Sequence, residues 1–210
     1  TSRGCKYLLL CGQDCGENDL MEERKRITLP LTKETIGGLH AGDRLLLNGK
    51  MYVARDAAHQ RVHEALEQGK TLPFDPDGAV IYYMGPAPAP PGEIIGSAGP
   101  TTSHRMDAYT PELLDLGLAG MIGKGARTAP VLDSIVRNKA VYMAAVGGAG
   151  ALLQDRITSV RTVCYEDLGA EALREIEVED FPVTVVVDSA GNDLYKTEPA
   201  KFAGAWKKLR

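Results

Sequence analysis

The chain has 210 residues, of which 44% are hydrophobic and 25% are charged, as is typical of a globular protein of one large or two small domains. Its formal net charge of -4 argues against a protein that coats nucleic acid. No apolar run approaches the roughly 20 residues that cross a bilayer, and the start lacks the pattern of a secretory signal. We therefore expect neither a nucleic-acid partner nor a membrane partner.

Cysteines are concentrated at the start of the chain. Cys5, Cys11 and Cys15 lie within the first fifteen residues, and Cys164 is the single cysteine of the body. This distribution does not suit a secreted domain held by disulfides, so it predicts a reducing, cytoplasmic setting. Two interpretations of the start are open: a metal or cluster site, or a peripheral extension over residues 1–25, part of which would lie upstream of a natural start at Met21. The irregular spacing favours the extension.

Residues 27–69 predict strands followed by a helix. Strands are expected at 27–31, 44–48 and 50–54, and Asn48-Gly49 predicts a two-residue turn that makes the last two an antiparallel hairpin. Apolar residues at helical spacing from Ala58 to Leu66 predict the helix, which ends near Gly69. His59 and His63 lie one turn apart on it and could hold a metal, but the pattern favours a place on its exposed face.

The remaining chain alternates strands with helices. Helices are expected from Thr110 to about Gly117 and from Thr128 to about Asn138, each opened by a proline, and a short helical segment follows Gly150. Apolar runs predict the strands, at 79–84, 118–122, 140–146, 162–165 and 183–187. The pattern predicts one α/β domain over residues 26–195 with a largely parallel central sheet, an N-terminal antiparallel hairpin, and a peripheral tail at 196–210.

The loop over residues 96–107 has the composition of an anion site. Glycines and a proline favour a tight turn, and small residues allow an anion to approach successive backbone N–H groups. Thr101 adds a hydroxyl, and Arg105 adds a planar fork of donors that matches a carboxylate or phosphate. The alternative is a surface turn that carries an ordinary arginine.

Three cations follow predicted strands: Arg55, Arg105 and Lys124. Ligands of open α/β sheets bind outside the carboxyl ends of the strands, so joint placement there would suit a small dianion such as a dicarboxylate. Each cation alone would be an ordinary solvated charge. The glycine-rich segments 123–125 and 147–150 match neither the dinucleotide fingerprint nor the P-loop.

Six motifs in order carry a family resemblance. They are Ala54-Arg-Asp-Ala-Ala-His59, Tyr82-Tyr-Met-Gly-Pro-Ala-Pro88, Gly99-Pro-Thr-Thr-Ser-His-Arg-Met-Asp107, Gly123-Lys-Gly125, Ala145-Val-Gly-Gly148 and Glu179-Asp-Phe-Pro182. Together they resemble the beta subunit, or C-terminal half, of iron–sulphur hydro-lyases, the class I fumarases and L(+)-tartrate dehydratases. The resemblance runs from about residue 27 to residue 195, and it implies a swivelling β/β/α-type domain.

The resemblance also implies a chemistry. A [4Fe-4S] cluster would be held by three cysteines of a partner alpha subunit, so we assign no metal ligand to this chain. Thr101 would be the catalytic base, activated by an aspartate of the alpha subunit, while Arg55, Arg105 and Lys124 would bind the carboxylates of a small dicarboxylate substrate. The assembly would be a dimer of alpha–beta units.

We therefore expect the beta subunit of a fumarase that interconverts fumarate and (S)-malate. A tartrate dehydratase, which converts tartrate to oxaloacetate, shares the same carboxylate-binding residues and is the alternative enzyme. A non-catalytic anion-binding module and a redox or cluster-carrier protein that uses the N-terminal cysteines are the alternatives from other classes.

Overall fold

A computed structural model describes residues 24–207, so the three N-terminal cysteines lie outside the described residues. The described part forms seven strands, six α-helices and two short 3₁₀ segments. In chain order these are β1 (Lys25–Thr28), α1 (Lys33–Gly37), β2 (Arg44–Val53), α2 (Asp56–Glu67), β3 (Val80–Tyr82), a 3₁₀ segment (Ser103–Met106), α3 (Thr110–Asp115), β4 (Gly120–Gly123), α4 (Ala129–Asn138), β5 (Val141–Ala144), α5 (Gly150–Gln154), β6 (Ile157–Cys164), a second 3₁₀ segment (Glu166–Glu171), β7 (Leu173–Val187) and α6 (Leu194–Lys207).

The strands form one mixed sheet in the order β1-β2-β3-β4-β5-β7-β6, which confirms the predicted α/β class. The pairs from β1 to β5 are parallel, and β7 runs antiparallel to β5, β6 and β2. Because β2 pairs with both β3 and β7, the five strands β2, β3, β4, β5 and β7 close on one another. The closure gives the sheet an inner and an outer face.

The predicted N-terminal hairpin is wrong, because β2 is one continuous strand through Asn48 and Gly49. The register against β7 shifts between Leu47 and Gly49, which marks a bulge rather than a turn. Gly49 has a φ of +111°, and the Asn48 side chain accepts a hydrogen bond from the Asp180 N–H at 3.0 Å. Both residue types suit a positive-φ bulge as well as a turn, and the pairing of β2 along β7 selects the bulge.

Two apolar cores lie on the two faces of the sheet, and β3 contributes to both. Val80 and Tyr82 belong to one core, while Ile81 and Tyr83 belong to the other. This alternation follows from the two-residue period of a strand, and all four side chains are buried. The continuous apolar run that predicted β3 is therefore explained by burial on both sides.

Helix α4 starts and ends where its flanking residues predict. Thr128 precedes α4, a proline stands in its first turn, and Lys139 ends it in the left-handed conformation. α4 buries Val131 and Ile135 on one side, as its apolar spacing predicts. None of the helices in residues 24–207 is long and apolar enough to cross a membrane.

Candidate active site

The parallel strands bring several predicted site residues to one edge of the sheet. The carboxyl ends of β2, β3, β4 and β5 point the same way because these strands pair in parallel. Arg55 follows β2 after one residue, and Lys124 directly follows β4. This edge is where ligands bind in α/β sheets.

Main-chain hydrogen bonds hold Thr101 between two strand exits. Its N–H donates to the Tyr83 carbonyl just after β3 at 2.8 Å, and its carbonyl accepts from the Lys124 N–H at 3.3 Å. The Ser103 N–H then donates to the Lys124 carbonyl at 2.9 Å. These main-chain hydrogen bonds place Thr101 and Lys124 next to each other, and they do not involve the side chain of either residue.

The Arg55 side chain lies against the backbone of Gly85. A Cβ atom built on Gly85 would overlap Arg55 Nη1 and lie 2.8 Å from its Cδ, so the arginine occupies the space that a side chain would need. Its Nη2 lies 3.3 Å from Glu171 Oε1, and its Nε lies 3.6 Å from Asp56 Oδ1. Only 22% of the Arg55 side chain is exposed.

Arg105 meets Arg55 at the carboxylate of Asp56. Arg105 Nη1 lies 3.9 Å from Asp56 Oδ1, the same oxygen that Arg55 Nε approaches. That oxygen and Arg55 Nε are buried without a hydrogen-bond partner among the described residues. Both guanidinium groups thus approach the same carboxylate oxygen, at distances too long for hydrogen bonds.

A cavity of about 470 Å³ opens beside Lys124. Its volume is within the range of about 300–1,000 Å³ that is usual for small-molecule sites. Its walls combine backbone and small side chains from the strand-exit loops: Gly85, Pro86, Ala87, Ser97, Gly99, Pro100, Gly148 and Gly150. Lys124 is the charged residue of this lining, and Arg55 and Thr101 adjoin it through Gly85 and Pro100.

The described residues leave the key polar groups of this site unengaged. Within residues 24–207, neither the Thr101 hydroxyl nor the Lys124 ammonium has a hydrogen bond or ion pair. The same residues hold no group of three or more His, Cys, Asp or Glu side chains that could bind a metal ion. Cys164 is unpaired, and burial raises the pKa of its thiol, which disfavours the thiolate form that metals bind.

A buried ion pair lies beneath the loop of residues 101–107. The Arg127 side chain has no exposed surface, and its Nε donates to Asp107 Oδ1 at 2.7 Å. The Arg127 Nη2 donates to Thr110 Oγ1 at 2.7 Å, and the Thr128 N–H donates to the second Asp107 oxygen at 2.8 Å. Asp107 ends the loop, so Arg127 ties the loop to the start of α3 and of α4.

Two tyrosines complete this buried network. The Arg127 guanidinium lies 5.3 Å from the ring of Tyr83 and 5.0 Å from the ring of Tyr142. The Tyr142 hydroxyl bonds to Ser103 Oγ at 2.8 Å and donates to the Gly125 carbonyl at 2.8 Å. Burial lowers the pKa of Arg127, but the adjacent Tyr83 and the Asp107 carboxylate raise it to a net value above the usual one. Arg127 is therefore charged. The network includes Tyr83, whose carbonyl accepts from the Thr101 N–H, and it contacts the carbonyl of Gly125, which follows Lys124. It thus supports the backbone on both sides of the Thr101–Lys124 hydrogen bond.

Sequence reasoning did not single out Arg127. Its partners Asp107, Thr110 and Tyr83 lie 20, 17 and 44 residues away, so its local sequence resembles that of a surface arginine. In the sequence, Asp107 stands out only as the last residue of the loop motif. The sequence signal that could have indicated this ion pair is the opposite charge of two residues before predicted helices: Asp107 before the helix from Thr110, and Arg127 before the helix from Thr128.

His59 is buried, which corrects the prediction that it lies on an exposed face. Its Nδ1 lies 2.8 Å from the Arg55 carbonyl oxygen, and since a carbonyl accepts, Nδ1 carries the proton. Burial lowers the pKa of His59 to about 4, so the ring is neutral near pH 7. His63, one turn later, is partly exposed as predicted and bonds to Glu112 at 2.7 Å.

The comparison with protein families agrees with this arrangement. The family model described as Fumarase C-terminus matches residues 12–198 of the chain. The chain belongs to this family. The match extends over all seven strands and over every predicted site residue.

Relatives of this chain include enzymes from eukaryotes, bacteria and archaea. It is 42% identical over 156 residues to Fumarate hydratase 2 of Leishmania major, covering 73% of this chain and 28% of that one. It is 39% identical over 180 residues to the aerobic class I fumarate hydratase of Escherichia coli K12, covering 85% of this chain and 32% of that one. It thus spans about a third of these fumarate hydratases.

A third relative has nearly the same length. The chain is 38% identical over 172 residues to the putative L(+)-tartrate dehydratase subunit beta of Methanocaldococcus jannaschii, covering 79% of this chain and 88% of that subunit. The named relatives are hydro-lyases, so the chain belongs to a lyase family. The same domain therefore occurs both as a part of longer chains and as a named subunit.

Proposed function

We propose that this chain is the beta subunit of a hydro-lyase that adds water to fumarate to give (S)-malate. One observation carries the proposal: Arg55 and Arg105 approach the same oxygen of Asp56, and Lys124, in the wall of a cavity, is hydrogen-bonded through its backbone to Thr101. Its support from relatives is the similarity to proteins named fumarate hydratases over 73% to 85% of the chain.

The cations would bind the substrate carboxylates. Arg55 and Arg105 present guanidinium groups that match a carboxylate in two-point contact. The Asp56 carboxylate that both arginines approach lies beyond hydrogen-bond distance of each, and Glu171 faces Nη2 of Arg55, so Nη1 of Arg55 and the Arg105 guanidinium remain to bind a ligand. Lys124 adds a third positive charge in the cavity wall. Three cations suit a dianion of two carboxylates.

Thr101 would move the proton. In the dehydration direction the C–H bond next to one carboxylate breaks and its proton passes to the deprotonated Thr101 oxygen. The C–O bond of the adjacent carbon breaks with it, and the hydroxide released takes a proton from solvent to become water. The hydration direction returns that proton to carbon. Negative charge builds on the carboxylate during abstraction, and the arginines and Lys124 stabilise it where it develops.

The threonine would need activation from outside the described residues. A threonine hydroxyl is a weak base until it has lost its own proton, and within residues 24–207 nothing hydrogen-bonds to it. We propose that an acidic residue of an alpha subunit accepts that proton. The exposed loop residues beside Thr101 leave this side of the site open to a partner.

We further propose that a [4Fe-4S] cluster belongs to the alpha subunit. The donor set of the described residues does not fit the cluster, because they hold no group of metal ligands and Cys164 stands alone. When bound, such a cluster would supply a Lewis acid for the departing hydroxyl. Every role assigned to this chain, namely binding, orientation and proton transfer, uses its own side chains.

A tartrate dehydratase beta subunit is the second candidate. The archaeal relative named as such a subunit is 38% identical and is covered over 88% of its length, unlike the fumarate hydratases. Tartrate and malate differ by one hydroxyl group. The carboxylate-binding residues would serve both, so the partner side of the site would decide between them.

Reconstitution tests the proposal. The chain is purified alone and together with an alpha subunit that carries its cluster, and each is assayed anaerobically on fumarate and on L(+)-tartrate. We expect activity only for the pair, higher on fumarate, and light scattering that fits a dimer of alpha–beta units. Higher activity on tartrate would select the second candidate. Turnover by the chain alone, or none by the pair, would overturn the two-subunit proposal.

A further inference from the structure

Arg55 owes its position to contacts made by its terminal nitrogens. It precedes α2 as the N-cap residue, yet its side chain makes no capping hydrogen bond. The guanidinium instead lies on Gly85, with Nη2 3.3 Å from Glu171 and Nε 3.6 Å from Asp56. Glu171 is therefore the closer of its two carboxylate neighbours.

Glu171 is itself fixed at two points. Its Oε2 accepts the Ala57 N–H in the first turn of α2 at 3.2 Å, while its Oε1 faces Arg55 Nη2. A carboxylate at the start of a helix is stabilised by the free N–H groups there. Three-quarters of the side chain is covered, since 26% is exposed. Glu171 thus caps the N-terminus of α2 and is also a counter-ion of Arg55.

The 3₁₀ segment Glu166–Glu171 has a second, separate contact with α2. Arg61 Nη1 lies 3.0 and 2.8 Å from the two oxygens of Asp167, and the Arg61 guanidinium lies 5.3 Å from the Tyr165 ring. Among the described residues, neither Arg61 nor Asp167 has a hydrogen bond or ion pair with Arg55, and neither lines the cavity. The segment is therefore docked by two ion pairs, of which one touches the candidate site.

We propose that Glu171 is a positioning residue that holds the Arg55 guanidinium on Gly85 for a substrate carboxylate. The inference rests on the proposed function, and it adds a residue from a distant segment to that site. The contact engages Nη2 and leaves Nη1 beside Gly85, at the cavity wall. An arginine whose rotamer is already fixed loses less conformational entropy when it binds a ligand. Glu171 would therefore strengthen substrate binding without touching the substrate.

Glu171→Gln in the reconstituted enzyme tests the role. Glutamine keeps an oxygen for the Ala57 N–H and removes the charge that faces Arg55. We expect KM for the dicarboxylate to rise about tenfold with little change in kcat, as for the loss of a charged contact that serves binding. An unchanged KM, or a fall in kcat alone, would overturn the proposal.

Asp167→Asn is the matched control, because it weakens the other ion pair of the same segment. We expect its KM to stay within about twofold of the unmodified enzyme, as for an exposed pair. In the Arg55→Ala background, Glu171→Gln should add nothing further to KM, since its effect runs through Arg55. An equal rise for Asp167→Asn, or additive effects in the double variant, would show a merely structural role and overturn the proposal.

A second readout does not depend on the reaction. Relaxation of the Arg55 side-chain Nε–H in the full chain reports its motion on the ps–ns timescale. We expect greater mobility in Glu171→Gln than in Asp167→Asn or the unmodified chain, and equal mobility in all three would overturn the positioning role. Absence of activity from the unmodified pair would instead overturn the proposed function, so the two failures are distinguishable.

Discussion

The Lys124 N–H donates a hydrogen bond to the Thr101 carbonyl oxygen at 3.3 Å. This main-chain contact makes neighbours of a loop threonine and a strand-exit lysine that are well separated in sequence. Both side chains are free of partners within residues 24–207. Either side chain is therefore replaceable without loss of the contact that places it, so substitutions here report on function rather than on folding.

We expect Thr101→Ala to lower kcat about 10²–10⁴-fold in the reconstituted enzyme, the range for loss of a general acid or base. KM should change little, because the cations that bind the carboxylates are untouched. Initial rates of fumarate hydration measure both constants. Thr102→Ala, which changes the exposed neighbour in the same loop, is the matched control and should keep the rate. A rise in KM alone for Thr101→Ala would assign Thr101 to binding.

Gly85→Ala should displace Arg55 and weaken substrate binding. The new Cβ would overlap Arg55 Nη1, and a flexible arginine end moves aside at low cost to stability. We expect KM to rise about tenfold, as for a lost charged contact, with the thermal midpoint nearly unchanged. Gly37→Ala, where a Cβ meets nothing within 4 Å, is the control. If KM were unaffected in Gly85→Ala, Arg55 would not be a substrate ligand.

Arg127→Met should destabilise the fold strongly. It leaves the Asp107 carboxylate buried without its ion-pair partner, and loss of one member of a buried pair costs about 3–5 kcal/mol. Urea denaturation followed by circular dichroism measures the change. Arg137→Met is the control on α4, because Arg137 and its partner Asp115 are both about half exposed. Equal midpoints for the two variants would show that the buried network adds no stability.

The stability of the chain should fall between pH 6.5 and pH 4 in part because of His59. The folded state holds its pKa at about 4 by burial, below the usual 6.5, so the unfolded chain binds more protons in that window. The stabilisation is complete above pH 6.5 and is lost toward pH 4, a change of roughly 3 kcal/mol.

His59→Asn isolates this contribution, since it retains a donor near the Arg55 carbonyl and cannot titrate. Urea midpoints at several pH values should show a shallower fall for the variant than for the unmodified chain. His63→Gln is the matched control, because the bond to Glu112 raises the pKa of His63. Its loss should remove stability at low pH rather than at neutral pH. Parallel curves for His59→Asn and the unmodified chain would contradict a neutral buried His59.

Local pattern predicted most central elements but misjudged the extent of three strands and left out α1 and α6. β6 begins at Ile157, whereas its predicted strand was 162–165. β3, β4 and α4 were predicted correctly because each carries a strong local signal, an apolar run or a capped apolar stripe. β2 was divided at Asn48-Gly49, since those residues suit a bulge and a turn equally. β7 extends from Leu173, whereas its predicted strand began at Val183, because charged residues occupy its outward positions.

The candidate site divides in the same way. The hydroxyl of Thr101 and the fork of Arg105 were identified within one loop motif, and Arg55 and Lys124 from their positions after strands. Glu171 and Arg127 were not identified, since each acts through a partner far away in the chain. Their roles depend on which strands pair, and a local window does not contain that information.

The sequence by itself determined the α/β class, most of the central strands and helices, and the residue types offered to an anion. These follow from periodicity, capping and turn chemistry, which act over a few residues. Only the tertiary structure decided that Arg55 and Arg105 approach one oxygen of Asp56 and that Arg127 is buried. Such contacts depend on sheet closure and on burial between distant segments. The strength of a charged residue's interactions depends on the groups and the solvent around it in the fold, which its neighbours in the sequence do not specify.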